Sequence, residues 1–346
     1  MEKKQNLAEK INAEKIWGVL VHLGMNMWSE KNMQTKLKWD TELWDQVVEK
    51  CVQWGLNTIV MDVGEGVVFS SHPELSIEGS WTPEQVKEEV HRLRELGIQL
   101  IPKLNFSATH DAWLGVYGRM VSTPAYYHVC RELIHEAYEI FDHPEYIHIG
   151  MDEENWKHAN DGGTYMTVIR RDELLIHDVK YLSDCVKETG AKCHMWHDSF
   201  ADYPELAYDG IPKDVVPEVW QYYEYRKDRW SKLSEQPDNV REYYATEFVR
   251  RYGYTIEYVE QDPHVTKAIE AMDRFQEEGR HFLVTTSNYS IKTCDESAAE
   301  YFKKECPDLS LLDGFMTAPW GSMDKQNERL LESIELLGKA KQIFYA

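Results

Sequence analysis

The sequence lacks several features, and each lack removes a class of protein. No run of about eighteen apolar residues occurs, which leaves no candidate for a membrane-spanning helix. The start, MEKKQNLAEKINAEK, is basic without an apolar stretch behind it, so it does not read as a secretory leader. Positive charge is in deficit: 38 Lys and Arg stand against 60 Asp and Glu, a formal net charge of −22. A surface of that sign repels phosphate backbones and anionic lipid, so neither nucleic acid nor membrane is an expected partner. Cysteine is sparse. The six cysteines, at positions 51, 130, 185, 193, 294 and 306, form no CxxC pair in a chain of 346 residues, and are expected to be buried thiols rather than staples. No apolar run ends in GxGxxG, which speaks against a dinucleotide-binding, doubly wound sheet. The expectation is a cytoplasmic globular protein without metal or cofactor, its oligomeric state left open.

What is present is a hydrophobic fraction of 42%, with 12 Trp and 20 Tyr. Aromatic faces bury large area and also stack on sugars and bases, so composition leans slightly toward carbohydrate. Short apolar runs recur at 17–26, 57–66, 98–106, 146–154, 191–200, 215–223, 281–289 and 313–321. Amphipathic segments lie between them, at 41–55, 82–97, 124–141, about 170–189, 264–279 and about 324–342. Thr41 and Thr82 are expected helix N-caps, with Pro83 at the first helical position, and Gly55, Gly97, Gly190 and Gly279 close helices ahead of the next strand. This rhythm predicts a single-domain (β/α)8 TIM barrel over 1–346. Two insertions, 107–123 and about 223–262, are long enough to belong to the loops of the catalytic face.

In such a barrel the site is built at the carboxyl ends of the strands. The residues there are His22 and Asn26; Asp62 and Glu65; Lys103, Asn105 and His110; Asp152 and Glu153; Trp196, His197 and Asp198; Trp220 and Gln221; Asn288 and Tyr289; and Trp320. The fourth run, YIHIGMDEEN, stops on three consecutive carboxylates, whose mutual repulsion would cost stability without a compensating role. Neighbouring residues of a strand point to opposite faces, so Asp152 and Glu153 take different jobs unless the strand has ended. A general acid needs a carboxyl that keeps its proton, and a carboxylate that stabilises positive charge must stay ionised. An adjacent pair offers both.

IHIGMDEE resembles the strand-four motif His-x-Gly-Gly-Asp-Glu of the family 20 glycoside hydrolases, the β-N-acetylhexosaminidases. IPKLNFSATHDAW is similar to that family's Ile-Pro-Glu-Ile-Asp-x-Pro-Gly-His segment, with Pro102 and His110 on the matching Pro and His. Trp196, Trp220, Tyr289 and Trp320 fall where the family has aromatic walls and a substrate-binding tyrosine. The resemblance implies retaining hydrolysis of a terminal β-linked amino sugar. Glu153 would be the general acid and base, and Asp152 would orient the substrate's own 2-acetamido group as nucleophile. Trp196, Trp220 and Trp320 would box the acetamido methyl, and Tyr289 would bond its carbonyl. The sequence departs from the pattern at Met151, where the motif has glycine, and at Asn105, where it has an acid. The clamp on the sugar hydroxyls is also absent: the first strand has no arginine, and Ile291 and Ser322 stand in place of two acids. His22, Asn26, Asp62, Glu65, His197 and Asp198 are the available replacements, in a pocket lined by the 223–262 loop.

Three other readings compete. His22, Asp62 or Glu65, Asp152 or Glu153, and His194 or His197 include ligand types for Zn²⁺ or Mn²⁺, as in a metal-dependent sugar isomerase or epimerase, without a short HxH or HExxH spacing. A non-catalytic glycan-binding barrel would keep the tryptophans and lose turnover. In the plainest reading, the carboxylates only cap the following helix.

Overall fold

Strands in this chain are short and apolar on both faces, the pattern of a parallel sheet that is covered by helices and closed on itself. In the computed structural model the described residues are 15–27, 33–154, 170–225, 230–232, 234, 241–242, 246, 257–260, 263–324 and 327–346. The strands are β1 (Ile16–His22), β2 (Thr58–Asp62), β3 (Gln99–Lys103), β4 (Tyr146–His148), β5 (Lys192–Trp196), β6 (Val215–Trp220), β7 (Trp230–Lys232), β8 (Tyr258–Glu260), β9 (Phe282–Thr286) and β10 (Leu312–Thr317). All but β7 and β8 form a closed parallel barrel in the order β1-β10-β9-β6-β5-β4-β3-β2, which is a (β/α)8 TIM barrel; six of its strands lie inside expected runs, and β1 and β10 each begin one residue earlier. The inner filling is Leu20, Val60, Ile101, Tyr146, Trp196, Leu283, Met316 and Ala318, and a larger apolar cluster lies between sheet and helices.

Register decides which polar residues meet inside. His22 pairs with Asp62, Asp62 with Lys103, Lys103 with His148, and His148 with His194, so a row of five polar residues winds across neighbouring strands.

The six expected helices are present as α1 (Thr41–Trp54), α2 (Pro83–Glu95), α3 (Pro124–Ile140), α4 (Asp172–Thr189), α7 (Pro263–Glu278) and α9 (Glu328–Tyr345). Two short helices, α5 (Asp198–Asp202) and α6 (Pro204–Gly210), follow β5. Helix α8 (Cys294–Glu305) was not among the expected segments, because the face it buries is built from small or acidic residues, Cys294, Asp295, Ala298 and Ala299, with a single aromatic, Phe302. Thr82 caps α2 through a capping box with Gln85. Thr41 does not cap α1. Asp40 does, from an extended backbone, its Oδ1 accepting the Leu43 N–H at 3.0 Å, while Thr41 is already helical.

Five of the cysteines are buried, Cys306 is half-buried, and all six are free thiols. Among the described residues no helix is long and apolar enough to cross a membrane. The 107–123 insertion carries two short 3-10 turns, Ala112–Leu114 and Tyr117–Arg119. Within 223–262 the antiparallel pair β7–β8 is present, and the rest of that loop lies mostly outside the described residues.

Candidate active site

Beyond β4 the backbone stops alternating. Gly150, Met151 and Glu153 all have positive φ, at 75°, 70° and 52°, in a left-handed region that costs an L residue about 1–2 kcal/mol. Gly150 has no alternative, since a Cβ there would stand 2.0 Å from Asn105 Oδ1 and 2.8 Å from its Cα. The turn lets adjacent carboxylates serve one space: Asp152 and Glu153 both line a cavity of about 280 Å³ at the barrel mouth.

The three consecutive acids each have a separate partner. Glu154 is neutralised by Arg170, which is fully buried, bonds it at 2.6 and 2.7 Å, and also meets Asp178 at 3.2 Å and the Phe106 carbonyl at 2.6 Å. Asp152 Oδ1 accepts from Asn105 Nδ2 at 2.9 Å. The amide at position 105 thus donates to Asp152 where an acid would set two carboxylates against each other. Glu153 Oε2 lies 3.4 Å from His110 Nε2, whose Nδ1 is 3.9 Å from Asp152 Oδ1 and 3.0 Å from Thr109 Oγ1. Burial opposes protonation of His110, but the charges of Asp152 and Glu153 outweigh it and hold its pKa above the usual imidazole value. The plain capping account does not fit side chains that face a cavity and a histidine; the segment from 155 to 169 lies outside the described residues.

Aromatic rings form the walls. Trp196 and Trp320 are 6.2 Å apart between centroids, Trp220 and Tyr222 5.3 Å, and Trp320 Nε1 donates to the Tyr222 hydroxyl at 2.8 Å. Tyr289 lies at the rim, 59% exposed, with the Arg329 guanidinium 4.5 Å from its ring centre.

Of the residues expected at the site, Asn105, His110, Asp152, Glu153, Trp196, Trp220, Tyr289 and Trp320 line the cavity, and His22, Asn26, His197 and Asp198 do not. Asp198 sits behind the wall, where its two oxygens accept the Glu153 N–H at 3.0 Å and Trp220 Nε1–H at 2.6 Å. Burial pushes the Asp198 carboxyl up to about 7, and the nearby Asp152 charge adds to the effect. His197 packs edge-on against Trp220, and burial draws its pKa down to about 3. Asn26 exchanges two hydrogen bonds with the Gln34 backbone, and its own N–H is held by Glu65. His22 is buried beside Asp62, with its pKa drawn down to about 4 by burial.

Lys103, also expected at a strand end, lines the cavity, whereas Asp62, Glu65, Gln221 and Asn288 do not; Met27 and Tyr222 line it in addition. Lys103 was legible as the last residue of the third run. Tyr222 was hidden among the aromatics of VWQYY, and Arg170 gave no local signal because its partners are Glu154 and Asp178. Ser107 was equally silent; its hydroxyl donates to the Asp152 carbonyl at 2.5 Å.

The ligands of the isomerase reading do not assemble. His194 bonds Glu218 at 2.9 Å in the barrel interior, and His22 lies 3.9 Å from Asp62, away from the cavity that Asp152 and Glu153 line. Among the described residues His110, Asp152 and Glu153 place one ligand atom each within 4.8 Å of one another, a spacing compatible with a divalent ion.

Comparison with known proteins agrees with this architecture. The family described as glycosyl hydrolase family 20, catalytic domain, matches residues 118–240, a segment that holds β4 to β6 and both acids. No curated protein matches the chain. Among solved structures, the barrel is similar to the Streptomyces plicatus N-acetyl-beta-hexosaminidase in complex with Thio-NAglucal (TM-score 0.59, 11% identity, 94% of this chain and 64% of that one). It is also similar to the Bacteroides fragilis beta-N-acetylhexosaminidase (TM-score 0.60, 14% identity, 93% and 65%). Dispersin B is covered almost completely, at 98% of its length and 94% of this chain, with TM-score 0.54 and 14% identity. The chain spans just under two thirds of the first two structures, 64% and 65% of their lengths. Over 118–240 the chain is similar to the family 20 catalytic domain, and its barrel shares the fold of the hexosaminidase structures.

Proposed function

We propose that this barrel is a retaining glycosidase acting on a terminal β-linked 2-acetamido sugar. The observation that carries the reading is the placement of Asp152 and Glu153 side by side on an aromatic-walled cavity, with His110 in reach of both. Glu153, sharing a proton with His110, protonates the leaving oxygen as the glycosidic bond breaks. Asp152, kept an acceptor by Asn105, takes a hydrogen bond from the acetamido N–H and supports its carbonyl oxygen as that oxygen attacks the anomeric carbon. Glu153, now ionised, removes a proton from the water that opens the cyclic intermediate, restoring the acetamido group and the original configuration. Trp196, Trp220 and Trp320 stack around the acetamido methyl, and Tyr289 at the rim reaches its carbonyl.

The neighbours' names point the same way, since hexosaminidases recur among the structures that share this barrel. The decisive experiment is a panel of nitrophenyl β-glycosides that differ at C2. Turnover of the acetamido members well above the hydroxyl members is expected; turnover of the hydroxyl members alone would overturn the reading.

The 4.8 Å grouping of His110, Asp152 and Glu153 favours one other reading, a divalent ion held by those three side chains. Stoichiometric metal in the purified protein, with activity lost to a chelator, would select it.

A further inference from the structure

We propose that Lys103 selects the substrate by donating hydrogen bonds from the cavity floor to one ring hydroxyl of the sugar, in place of the hydroxyl clamp that this chain lacks. The inference rests on the reading that the cavity accepts a sugar. Lys103 is the last residue of β3, lines the cavity, and is only 1% exposed. Its ion pair is with Asp62, its register neighbour on β2. An ammonium carries three N–H donors. Asp62 accepts one, so two are left at a buried position, where an unused donor is costly unless an incoming group supplies the acceptor.

A second donor points to the same chemistry. Trp196, a cavity wall with its ring centre 6.0 Å from Lys103 Nζ, keeps its Nε1–H without an acceptor. Two donor groups near one another, on Lys103 and Trp196, thus have hydrogen-bonding capacity to spare. An anionic substituent such as a uronate carboxylate would supply acceptors but is disfavoured, because Asp62 already balances the Lys103 charge and Asp152 and Glu153 line the same cavity. A neutral hydroxyl oxygen supplies the acceptor at no charge cost. The first strand, VLVHLGMNMW, carries no arginine to donate to a hydroxyl, so the donor task falls to the strand-three cation.

The test uses 4-nitrophenyl N-acetyl-β-D-glucosaminide and its 3-, 4- and 6-deoxy derivatives. Wild type is expected to lose about ten- to hundredfold in kcat/KM on one deoxy sugar, the range for a hydrogen bond from a charged donor. The double variant K103M/D62N removes both members of the buried pair, so neither is left as an uncompensated charge. It is expected to process that deoxy sugar and the parent equally, with the parent reduced by the same factor and the other two hydroxyls still discriminated. Retention of the wild-type ranking in the double variant would overturn the proposal.

Should that variant not fold, the full wild-type chain labelled with ¹⁵N-lysine gives the second measurement. A slowly exchanging ammonium signal is expected to shift with N-acetylglucosamine and not with the selected deoxy sugar, and no shift in any such signal would overturn the proposal. Tryptophan fluorescence separates the two readings. Wild type that binds N-acetylglucosamine but cleaves no glycoside overturns the glycosidase and leaves the hydroxyl ranking measurable by binding. Turnover with an unchanged ranking in K103M/D62N overturns Lys103 alone. Neither binding nor turnover overturns both.

Discussion

The two ends of the barrel carry cavities of nearly equal size, about 280 Å³ at the mouth and about 270 Å³ at the opposite end. Both contain acids, a histidine and a lysine, so neither volume nor ionisable residue type tells them apart, although only the mouth is walled by tryptophan. The opposite cavity is bounded by strand starts such as Gln99, Tyr146 and Lys192, in ordinary extended backbone. Its charges answer one another at the surface, as in the Lys192–Glu145 pair at 3.3 Å, and its histidine, His194, is committed to Glu218. At the mouth, Met151, Glu153 and Trp320 are non-glycine residues held at positive φ, and donors on Lys103 and Trp196 are left over. Unpartnered buried polar atoms occur at both ends, Trp196 Nε1 at the mouth and the Tyr146 hydroxyl at the other, so it is the left-handed backbone at non-glycine residues that sets the mouth apart, and a fold keeps such strain only where the surrounding structure enforces it.

Substitutions in pairs, one at each end, would break or sharpen this contrast. The largest effect is expected at Glu153: Glu153→Gln should lower kcat on an aryl acetamido glycoside by about a hundredfold or more, the scale of a lost general acid. Glu145→Gln, at the other cavity, should leave kcat within a factor of about two, since it removes only an exposed pair. Equal losses would erase the distinction.

Glycine gives the next pair. Gly150→Ala should destabilise by about 3 kcal/mol or more, adding a collision with Asn105 to the left-handed cost. Gly97→Ala, with φ +77 and nothing within 4 Å of its new Cβ, should cost only about 1 kcal/mol. Denaturant titration reads both values, and similar losses would mean that crowding at the mouth is not what fixes Gly150.

Asp152→Asn should reduce turnover of a 2-acetamido substrate at least about tenfold more than that of its 2-hydroxyl counterpart, or about 1.4 kcal/mol of differential stabilisation. Parallel losses on the two substrates would remove substrate assistance.

The smallest effect lies at a carboxyl that lines neither cavity. Asp295 is buried; burial lifts its pKa to about 7, against the opposing hydrogen bond that its Oδ1 accepts from Thr286 Oγ1 at 2.7 Å. A carboxyl raised in the folded state binds more protons there than when unfolded. Its stabilising contribution is therefore complete below about pH 4 and is lost as pH rises through about 7. Asp295→Asn keeps the acceptor and removes the titration, so its melting temperature should fall less steeply than wild type across that interval. Identical slopes would show that Asp295 stays ionised.

The barrel was legible because its signals are local. All eight expected runs became its strands, and Thr82, Gly55 and Gly190 punctuate helices as their chemistry requires. Helix α8 escaped because small and acidic residues make a weak apolar face, and the first cap was misplaced by one residue because Thr41 and Asp40 are both competent caps. Within the site, Asp152, Glu153, His110 and the tryptophans announce themselves by type at strand ends. His22 and Asn26 have the same kinds of side chain at the same kind of position and do not line the cavity, and the Asn26 amide turns out to be held by the Gln34 backbone. Residue type cannot reveal whether a hydrogen-bonding group has already been used within the fold.

The sequence by itself determined the eight-fold alternation of strand and helix, the acidic surface and the adjacent carboxylates after the fourth strand, since each depends on spacing or composition along the chain. The tertiary structure alone decided that Arg170 neutralises Glu154, that left-handed backbone turns Asp152 and Glu153 toward one cavity, and that parallel register sets Lys103 beside Asp62 with donors unused. Those outcomes depend on which strands lie side by side and on how far each is shifted along its neighbour. Closing the barrel fixes both, through contacts between residues far apart in the chain.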